Sequence, residues 1–349
     1  MMKKIHAALL SFGMSGRVFH APFIDVHPGF VLSGSWERSK KEIQKHYPEA
    51  TSYDSLESVL HDETVDLVVV NTPTYTHYEY TKLALEAGKD VVVEKAFTTT
   101  VAEAEELAAL AKLKKRKLSV FQNRRWDSDF KTVQSVIDSG VLGRLVEVSF
   151  SYDRFSPKLS LKGHKEKQGP GAGIVKDLGP HLIDQALCQF GFPQSVFASI
   201  AITREDSLVD DFFEILLYYP QMLVRLRASY FVKEPVPSFI VYGTQGAFLK
   251  ARADVQEADL QASKRPGHDG WGTEPKEAFG ILNYELEGKD VRKEVPALQG
   301  DYRQYYEGIY QALTQDAEVP VSAEDGIRVM KIIEAAFLSA SEKRVISLA

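Results

Sequence analysis

Residues 5–16, with the sequence IHAALLSFGMSG, join an apolar run to a turn that contains two glycines. The run predicts a first β-strand, and a helical pattern follows at residues 17–26. In the dinucleotide fingerprint G-x-G-x-x-G, the second glycine lets the backbone approach a pyrophosphate and the third allows close helix–strand packing. Gly13 and Gly16 occupy those two places, and Ser11 stands where the first glycine would be. A plain strand–turn–helix is the alternative.

The pattern of strands and helices changes near residue 121. Before it, strand patterns such as residues 90–94 and 118–121 alternate with helical patterns, which predicts a parallel sheet covered on both faces. After it, strand patterns follow one another without intervening helices, which predicts an antiparallel sheet. We therefore predict an α/β protein with a Rossmann domain at residues 1–121. An α+β domain with a large, mainly antiparallel open sheet follows at residues 122–349.

The last helical pattern is a candidate for packing back on the first domain. The polar stretch at residues 251–277 contains three glycines and two prolines and predicts a long loop, either disordered or a lid.

Composition restricts the classes of function. The chain has 349 residues and a net charge of 42 − 48 = −6, which argues against general nucleic-acid binding. No apolar run is long enough to span a membrane, and Cys188 is the single cysteine, which suits a reducing, cytoplasmic location. The histidines show no spacing typical of metal ligands, so we expect no metal and a small-molecule partner.

Two neighbouring residues after the second strand pattern bear on the cofactor. Glu37 lies 37 − 16 = 21 residues after Gly16, about where an acidic residue would hold the ribose hydroxyls of NAD. Arg38 would instead hold the 2′-phosphate of NADP. The choice between NAD and NADP stays open, and a solvated loop is the alternative for both residues.

Lys95 follows the strand pattern at residues 90–94, and ligands bind outside the carboxyl ends of parallel strands. A lysine there can donate to a substrate hydroxyl and stabilise the developing alkoxide. An ordinary surface lysine is the alternative.

Asp177 and His181 lie four residues apart in a segment with the sequence DLGPHLID. Pro180 either begins a helix, leaving Asp177 just outside it, or kinks a longer one. In both cases the two side chains are neighbours. The histidine suits proton transfer and the carboxylate can set its tautomer. A capping aspartate beside a core histidine, or a pair of metal ligands, are the alternatives.

Taken together, these segments resemble the Gfo/Idh/MocA family, the glucose–fructose oxidoreductase and inositol dehydrogenase group. The resemblance is closest to scyllo-inositol dehydrogenase-like members. The segments that carry the resemblance span most of the chain: the turn at residues 13–16 with RVFHAP after it, NTP at 71–73 with His77, EKAF at 94–97, FQNRRWD at 121–127 and DLGPHLID at 177–184.

The resemblance implies that Lys95, Asp177 and His181 are catalytic, and that Arg125 contacts substrate together with Asp177 and His181. Arg154, at the end of a strand pattern, is our own candidate substrate contact, and Tyr152, Trp271 and Tyr302 are weaker ones. Ala96 replaces the family proline after the lysine. The residues expected to bind the cofactor are Gly13, Ser15, Gly16, Glu37, Arg38, Asn71, Thr72, Pro73, His77, Glu94, Lys95 and Asn123.

The resemblance further implies an NAD(P)-dependent oxidoreductase that moves a hydride between nicotinamide and a secondary hydroxyl of a sugar or cyclitol. It implies a homodimer or homotetramer. Two other activities remain open: a glycoside hydrolase with tightly bound NAD, and a non-catalytic regulator that binds the dinucleotide. The first would cleave aryl glycosides without net turnover of NAD, and the second would bind cofactor without reducing it.

Overall fold

The computed structural model describes residues 3–37, 41–159 and 166–348. These residues form two compact units. Unit 1 contains the described chain up to Asn123 together with Gln256–Trp271 and Asp301–Ile327. Unit 2 contains the described residues from Arg124 to Val255, Gly272–Gly300 and the chain from Arg328 onward.

Unit 1 is built on a parallel sheet whose six described strands run in the order β3-β2-β1-β4-β5-β6. The central strands are buried along their length because helices cover both faces, which accounts for continuous runs such as Leu67–Val70. The Rossmann-type prediction is confirmed. The strands are β1 Ile5–Leu9, β2 Phe30–Trp36, β3 Thr51–Tyr53, β4 Leu67–Val70, β5 Asp90–Glu94 and β6 Leu118–Phe121.

The helices of unit 1 follow the strands and are capped locally. Thr100 forms a capping box with Glu103 at the start of the longest crossover helix. Between β1 and the first α-helix lies a π-helical turn, Gly16–His20, which continues directly into that helix. The helices are α1 Ala21–Val26, α2 Ile43–His46, α3 Leu56–Leu60, α4 His77–Glu86 and α5 Val101–Lys114.

Later parts of the chain complete unit 1. The helix α9 (Gln256–Gln261) lies inside the stretch 251–277 that the sequence predicted as a loop, and α10 (Arg303–Gln315) follows. Trp271 and Tyr302 are at most 1% exposed and pack against Phe23. They are core residues, because their rings close an aromatic cluster, and the pocket role suggested for them is wrong.

Unit 2 is built on a mixed sheet in which the described strands run in the order β14-β13-β12-β11-β7-β10-β9-β8-β15. Only the β7–β10 pair is parallel among these, so the prediction of a mainly antiparallel sheet is confirmed. Its strands are β7 Leu145–Ser151, β8 Ser195–Ala201, β9 Phe212–Tyr219, β10 Met222–Ser229, β11 Phe239–Gly243, β12 Gly246–Lys250, β13 Gly280–Leu286, β14 Lys289–Val295 and β15 Ile346–Ser347.

Alternating side chains along the sheet of unit 2 define one buried face. In Phe212–Tyr219, every second residue is buried, which is the pattern of a sheet covered by helices on one side only. The helices of this unit are α6 Ser128–Asp138, α7 Ile174–Asp177 and α8 Gly179–Phe190. A last helix, α11 Ala323–Glu342, begins in unit 1 and continues in unit 2.

Candidate functional site

The turn after β1 leaves room for a ligand at one glycine and none at the other. A Cβ atom on Gly16 would lie 2.3 Å from the carbonyl oxygen of Ser11 and 2.8 Å from Nδ2 of Asn71, so the fold itself requires that glycine. Among the described residues, a Cβ on Gly13 would meet only Ser11 Oγ, at 3.4 Å, and Gly13 does not have a positive φ. Because the fold does not require a glycine at position 13, its missing side chain fits the close approach of a pyrophosphate.

Asn71 joins the end of β4 to this turn. Its Nδ2 donates to the carbonyl oxygen of Ser11 at 2.7 Å. Its Oδ1 is buried and has no hydrogen-bond partner within the described chain. A buried acceptor without a partner is uncommon, and a bound polar ligand would satisfy it. The strand order reverses between β1 and β4, where open α/β sheets bind nucleotides.

The carboxylate of Glu94, at the end of β5, is held by three donors. Ser15 Oγ and His20 Nε2 donate to Oε1, the latter at 3.1 Å, and the backbone N–H of Lys95 donates to Oε2 at 3.1 Å. Burial alone would raise the pKa of Glu94, but the hydrogen bonds from His20 and Ser15 outweigh it and hold the pKa below its usual value. Glu94 and Ser15, both predicted cofactor residues, therefore contact each other.

The loop after β4 is fixed by His77, the first residue of α4. Its Nδ1 lies 2.8 Å from the carbonyl oxygen of Ala96, and its Nε2 lies 2.9 Å from that of Thr72. Burial lowers the pKa of His77, although both carbonyl oxygens favour the protonated ring. A neutral ring donates to one of the two carbonyls. His77 is 1% exposed and thus supports the loop of Thr72 and Pro73 from inside.

Lys95 lies at the carboxyl end of β5 and is half-buried. The peptide bond between Lys95 and Ala96 is cis. Ala96 is buried, and its carbonyl oxygen contacts His77. Asn123, the last residue of the first segment of unit 1, is 5% exposed and begins a short 3₁₀ helix, Asn123–Trp126, just after β6. Lys95 and Asn123 therefore both lie at the carboxyl edge of the parallel sheet.

The carboxylate of Glu37 is hydrogen-bonded to the protein backbone. Its two carboxylate oxygens accept hydrogen bonds from the backbone N–H groups of Glu42 and Ile43, each at 2.9 Å, and the residue is 8% exposed. It acts as a cap at the start of α2. Its predicted contact with the ribose remains a prediction. Arg38, the other residue of this pair, lies outside the described residues.

In unit 2, Asp177 ends α7 and His181 lies in the first turn of α8, with Pro180 before it. Neither alternative is met in full: Gly179 is the first residue of α8 and Pro180 the second, and Asp177 ends the separate short helix α7, with Leu178 between the two helices. Gly173 sets the start of α7: its φ is +93°, and a Cβ there would lie 2.0 Å from Oδ1 of Asp210.

Asp210 is a residue that sequence reasoning missed. Its backbone carbonyl and its Oδ2 accept hydrogen bonds from the N–H groups of Ile174 and Val175, both at 2.8 Å, which anchors the short helix that carries Asp177. Burial raises the pKa of Asp210. The sequence around Asp210 gives no local sign of such a role, because its partners lie more than thirty residues earlier.

Arg125 forms a bidentate ion pair with Asp184, from Nε at 2.8 Å and Nη2 at 2.7 Å. Asp184 lies on α8, three residues after His181, and is 2% exposed. The geometry ties the segment after β6 to the histidine helix. A role of Arg125 as a substrate contact remains a prediction, and the ion pair gives it a positioning role.

Arg154 is exposed, and its guanidinium lies 4.9 Å from the centre of the Tyr152 ring. Burial raises the pKa of Tyr230, with a further contribution from the charge of Asp177, whereas Arg154 acts in the opposite direction. The charges of Asp177 and Arg154 therefore both affect the pKa of Tyr230, in opposite directions.

The structure groups the predicted residues within each unit. Asn71, the glycine turn and Glu94 are linked by direct contacts, and Glu37 lies apart as a helix cap. Among the described residues, no group of three or more His, Cys, Asp or Glu side chains is arranged to hold a metal ion. None of the described helices is both long and apolar enough to cross a membrane.

Comparison with known proteins identifies the family. Residues 5–122 match the Gfo/Idh/MocA model described as the oxidoreductase family, NAD-binding Rossmann fold. Residues 134–348 match the model for the oxidoreductase family, C-terminal alpha/beta domain.

Individual relatives cover almost the whole chain. The scyllo-inositol 2-dehydrogenase (NADP(+)) IolW of Bacillus subtilis is 37% identical over 345 residues, which are 99% of this chain and 96% of that protein. The inositol 2-dehydrogenase of Rhizobium meliloti is 27% identical over 315 residues, covering 86% and 85%.

Solved structures of oxidoreductases are also similar to this chain over almost its whole length. The YvaA protein of Bacillus subtilis has a TM-score of 0.97 at 36% identity, covering 100% of this chain and 99% of that one. An oxidoreductase from Bacillus cereus has a TM-score of 0.91 at 31% identity, with 99% of both chains covered. The chain therefore belongs to the Gfo/Idh/MocA oxidoreductase family, whose N-terminal domain is an NAD-binding Rossmann fold.

Proposed function

We propose that this protein is an NAD(P)-dependent dehydrogenase that oxidises or forms a secondary hydroxyl of a sugar or cyclitol. The observation that carries the proposal is the carboxyl edge of the parallel sheet in unit 1. There, an open glycine turn, a buried acceptor on Asn71 and Lys95 lie on neighbouring strands. Inositol dehydrogenases among the relatives favour a cyclitol as the substrate class.

The residues of unit 1 would hold the cofactor. The turn at Gly13 would face the pyrophosphate, and Asn71 and Thr72 would line the loop beside it. The nicotinamide supplies the hydride acceptor or donor when it is bound. Lys95, placed by its backbone bond to Glu94, would donate a hydrogen bond to the substrate oxygen and stabilise negative charge there.

The residues of unit 2 would handle the proton. His181 would take the hydroxyl proton at an imidazole nitrogen, and Asp177 would orient the ring or bind the substrate. The ion pair of Arg125 with Asp184 holds the helix that carries His181, and Asp210 holds the short helix that carries Asp177. Arg154, three residues after the end of β7, would contact polar groups of the substrate.

The experiment is a panel of cyclitols, polyols and sugars read by nicotinamide absorbance with each cofactor. We expect at least one cyclitol or sugar to be oxidised, and His181→Ala to lower turnover by about 10²–10⁴-fold with cofactor affinity nearly unchanged. His61→Ala is the matched control because His61 is exposed in unit 1. If no compound reacts while the nucleotide binds, the proposal is wrong, and equal turnover in the wild type and His181→Ala removes that residue from the chemistry.

We further propose that NADP(H) is preferred over NAD(H). The carboxylate of Glu37 is committed to two backbone N–H groups and is therefore a poor partner for ribose hydroxyls. Arg38 and Lys40, which follow it in the sequence, carry positive charge that suits a 2′-phosphate.

Paired affinity measurements for NADPH and NADH test this preference. We expect Arg38→Ala to weaken NADPH binding by about tenfold and to leave NADH binding nearly unchanged. Arg116→Ala is the control, since Arg116 is an exposed arginine elsewhere in unit 1. Tighter binding of NADH than of NADPH by the wild type would contradict the proposal.

A homodimer or homotetramer is expected, and light scattering in solution checks it.

A further inference from the structure

A chain of three buried side chains connects α10 to the glycine turn of unit 1. The hydroxyl of Tyr306 lies 2.7 Å from His20 Nδ1, and His20 Nε2 lies 3.1 Å from Glu94 Oε1. The same carboxylate accepts from Ser15 Oγ and from the backbone N–H of Lys95. His20 is completely buried, and Tyr306 is 1% exposed.

The carboxylate of Glu94 decides which nitrogen of His20 faces which partner. An ionised Glu94 only accepts, so His20 Nε2 donates to it, and Nδ1 is the ring nitrogen left to bond the hydroxyl of Tyr306. Burial raises the pKa of the Tyr306 phenol well above its usual value, so its hydroxyl keeps its proton. Both ring nitrogens of His20 then have a partner.

The position of His20 is determined by its surroundings. It ends the π-helical turn Gly16–His20, and its ring packs 4.4 Å, between centroids, from that of Phe121. π-Helical turns are frequent at functional sites. The ring is therefore held by an aromatic contact and by hydrogen bonds at both nitrogens, one of which is to the Glu94 carboxylate.

We propose that His20 and Tyr306 are positioning residues, which hold Glu94 so that this carboxylate fixes both Ser15 in the cofactor turn and the backbone of Lys95. Neither residue needs to contact the cofactor for this role. The part of the inference that concerns cofactor affinity rests on the proposed function. The part that concerns the order of the turn does not, since it depends on contacts within the protein.

A matched pair of variants separates positioning from general support of the fold. Tyr306→Phe removes only the hydroxyl that is hydrogen-bonded to His20. Tyr305→Phe removes the hydroxyl of the preceding tyrosine, which is equally buried on the same helix but bonds to Ser119 at 2.9 Å. Both changes keep the ring and its packing, so we expect both variants to fold.

The first measurement is hydrogen exchange of the protein without nucleotide, at peptides that cover residues 10–18 and 94–98. We expect Tyr306→Phe to speed exchange there by about tenfold and Tyr305→Phe to leave it unchanged. His20→Gln, which keeps a donor for Glu94 but loses the bond to Tyr306, should also speed exchange at these two peptides. Equal exchange in both tyrosine variants at these peptides would overturn the inference.

The second measurement is the affinity for NADPH and NADH by quenching of protein fluorescence. We expect about tenfold weaker binding in Tyr306→Phe and no change in Tyr305→Phe. If the wild type binds neither nucleotide, the proposed function fails while the exchange data still decide whether the network orders the turn. If nucleotide binds equally well to both variants, the positioning role toward the cofactor is wrong.

Discussion

Replacing Glu37 with alanine tests whether this carboxylate serves the fold or the ribose. It accepts two backbone hydrogen bonds at 2.9 Å, and one of the donors, Ile43, is completely buried. The loss of a side-chain cap costs about 0.5–2 kcal/mol, and hydrogen bonds to a charged group are worth about 1.5–3 kcal/mol each. In the variant, water can bond to the part-buried N–H of Glu42 and so offsets part of the loss. We therefore expect Glu37→Ala to lower the free energy of unfolding of unit 1 by about 2–3 kcal/mol.

The assay is urea unfolding of the full chain, followed by titration with NADH and NADPH under conditions where the variant is folded. We expect the ratio of the two affinities to change by less than about threefold, equivalent to about 0.7 kcal/mol. Glu86→Ala is the control, because Glu86 is an exposed glutamate at the end of α4. Unchanged stability together with a large relative loss of NADH affinity would show that Glu37 holds the ribose, and our reasoning would be refuted.

Further predictions concern the turn and the helix ends. Gly16→Ala should destabilise unit 1, because its Cβ would lie 2.3 Å from the carbonyl oxygen of Ser11; thermal unfolding checks this. Gly13→Ala should leave the melting temperature nearly unchanged yet weaken nucleotide binding about tenfold or more, as measured by fluorescence titration. The lowered pKa of Glu94 means that its ionised form stabilises the fold above the ordinary pKa of 4.5. This stabilisation should be lost as the pH falls further, and Glu94→Gln should lack that part of the pH dependence of unfolding. Asp210→Ala should loosen α7 and lower turnover, with nucleotide affinity, measured by titration, unaffected.

The fold of unit 1 was predictable because its signals are local. A strand buried on both faces needs consecutive apolar residues, as in Leu67–Val70, and the turn at Gly16 needs a glycine for close packing. The sheet of unit 2 was predictable from alternation along strands such as Phe212–Tyr219. The strands β3, β12 and β15 were missed, and for β3 and β15 the reason is that two or three residues carry no measurable period.

The candidate site was predictable only in part. Motifs led to the glycine turn, Lys95 and His181, since each lies where a strand or helix begins or ends. Spacing also led to Glu37, but spacing cannot show that a side chain is engaged by the backbone six residues later. The roles of His20 and Asp210 gave no signal in the sequence, because their partners lie far away along the chain.

Short stretches of sequence were therefore enough to indicate most strands and helices, the place of the glycine turn and the types of reactive side chain. Those properties depend on neighbours within a few residues, which a linear pattern records. Which polar groups are hydrogen-bonded within the candidate site depends instead on the packing of distant segments. Packing brought Tyr306 to His20 across 286 positions and left the acceptor on Asn71 without a partner among the described residues, because burial and hydrogen bonding are settled only when distant segments pack.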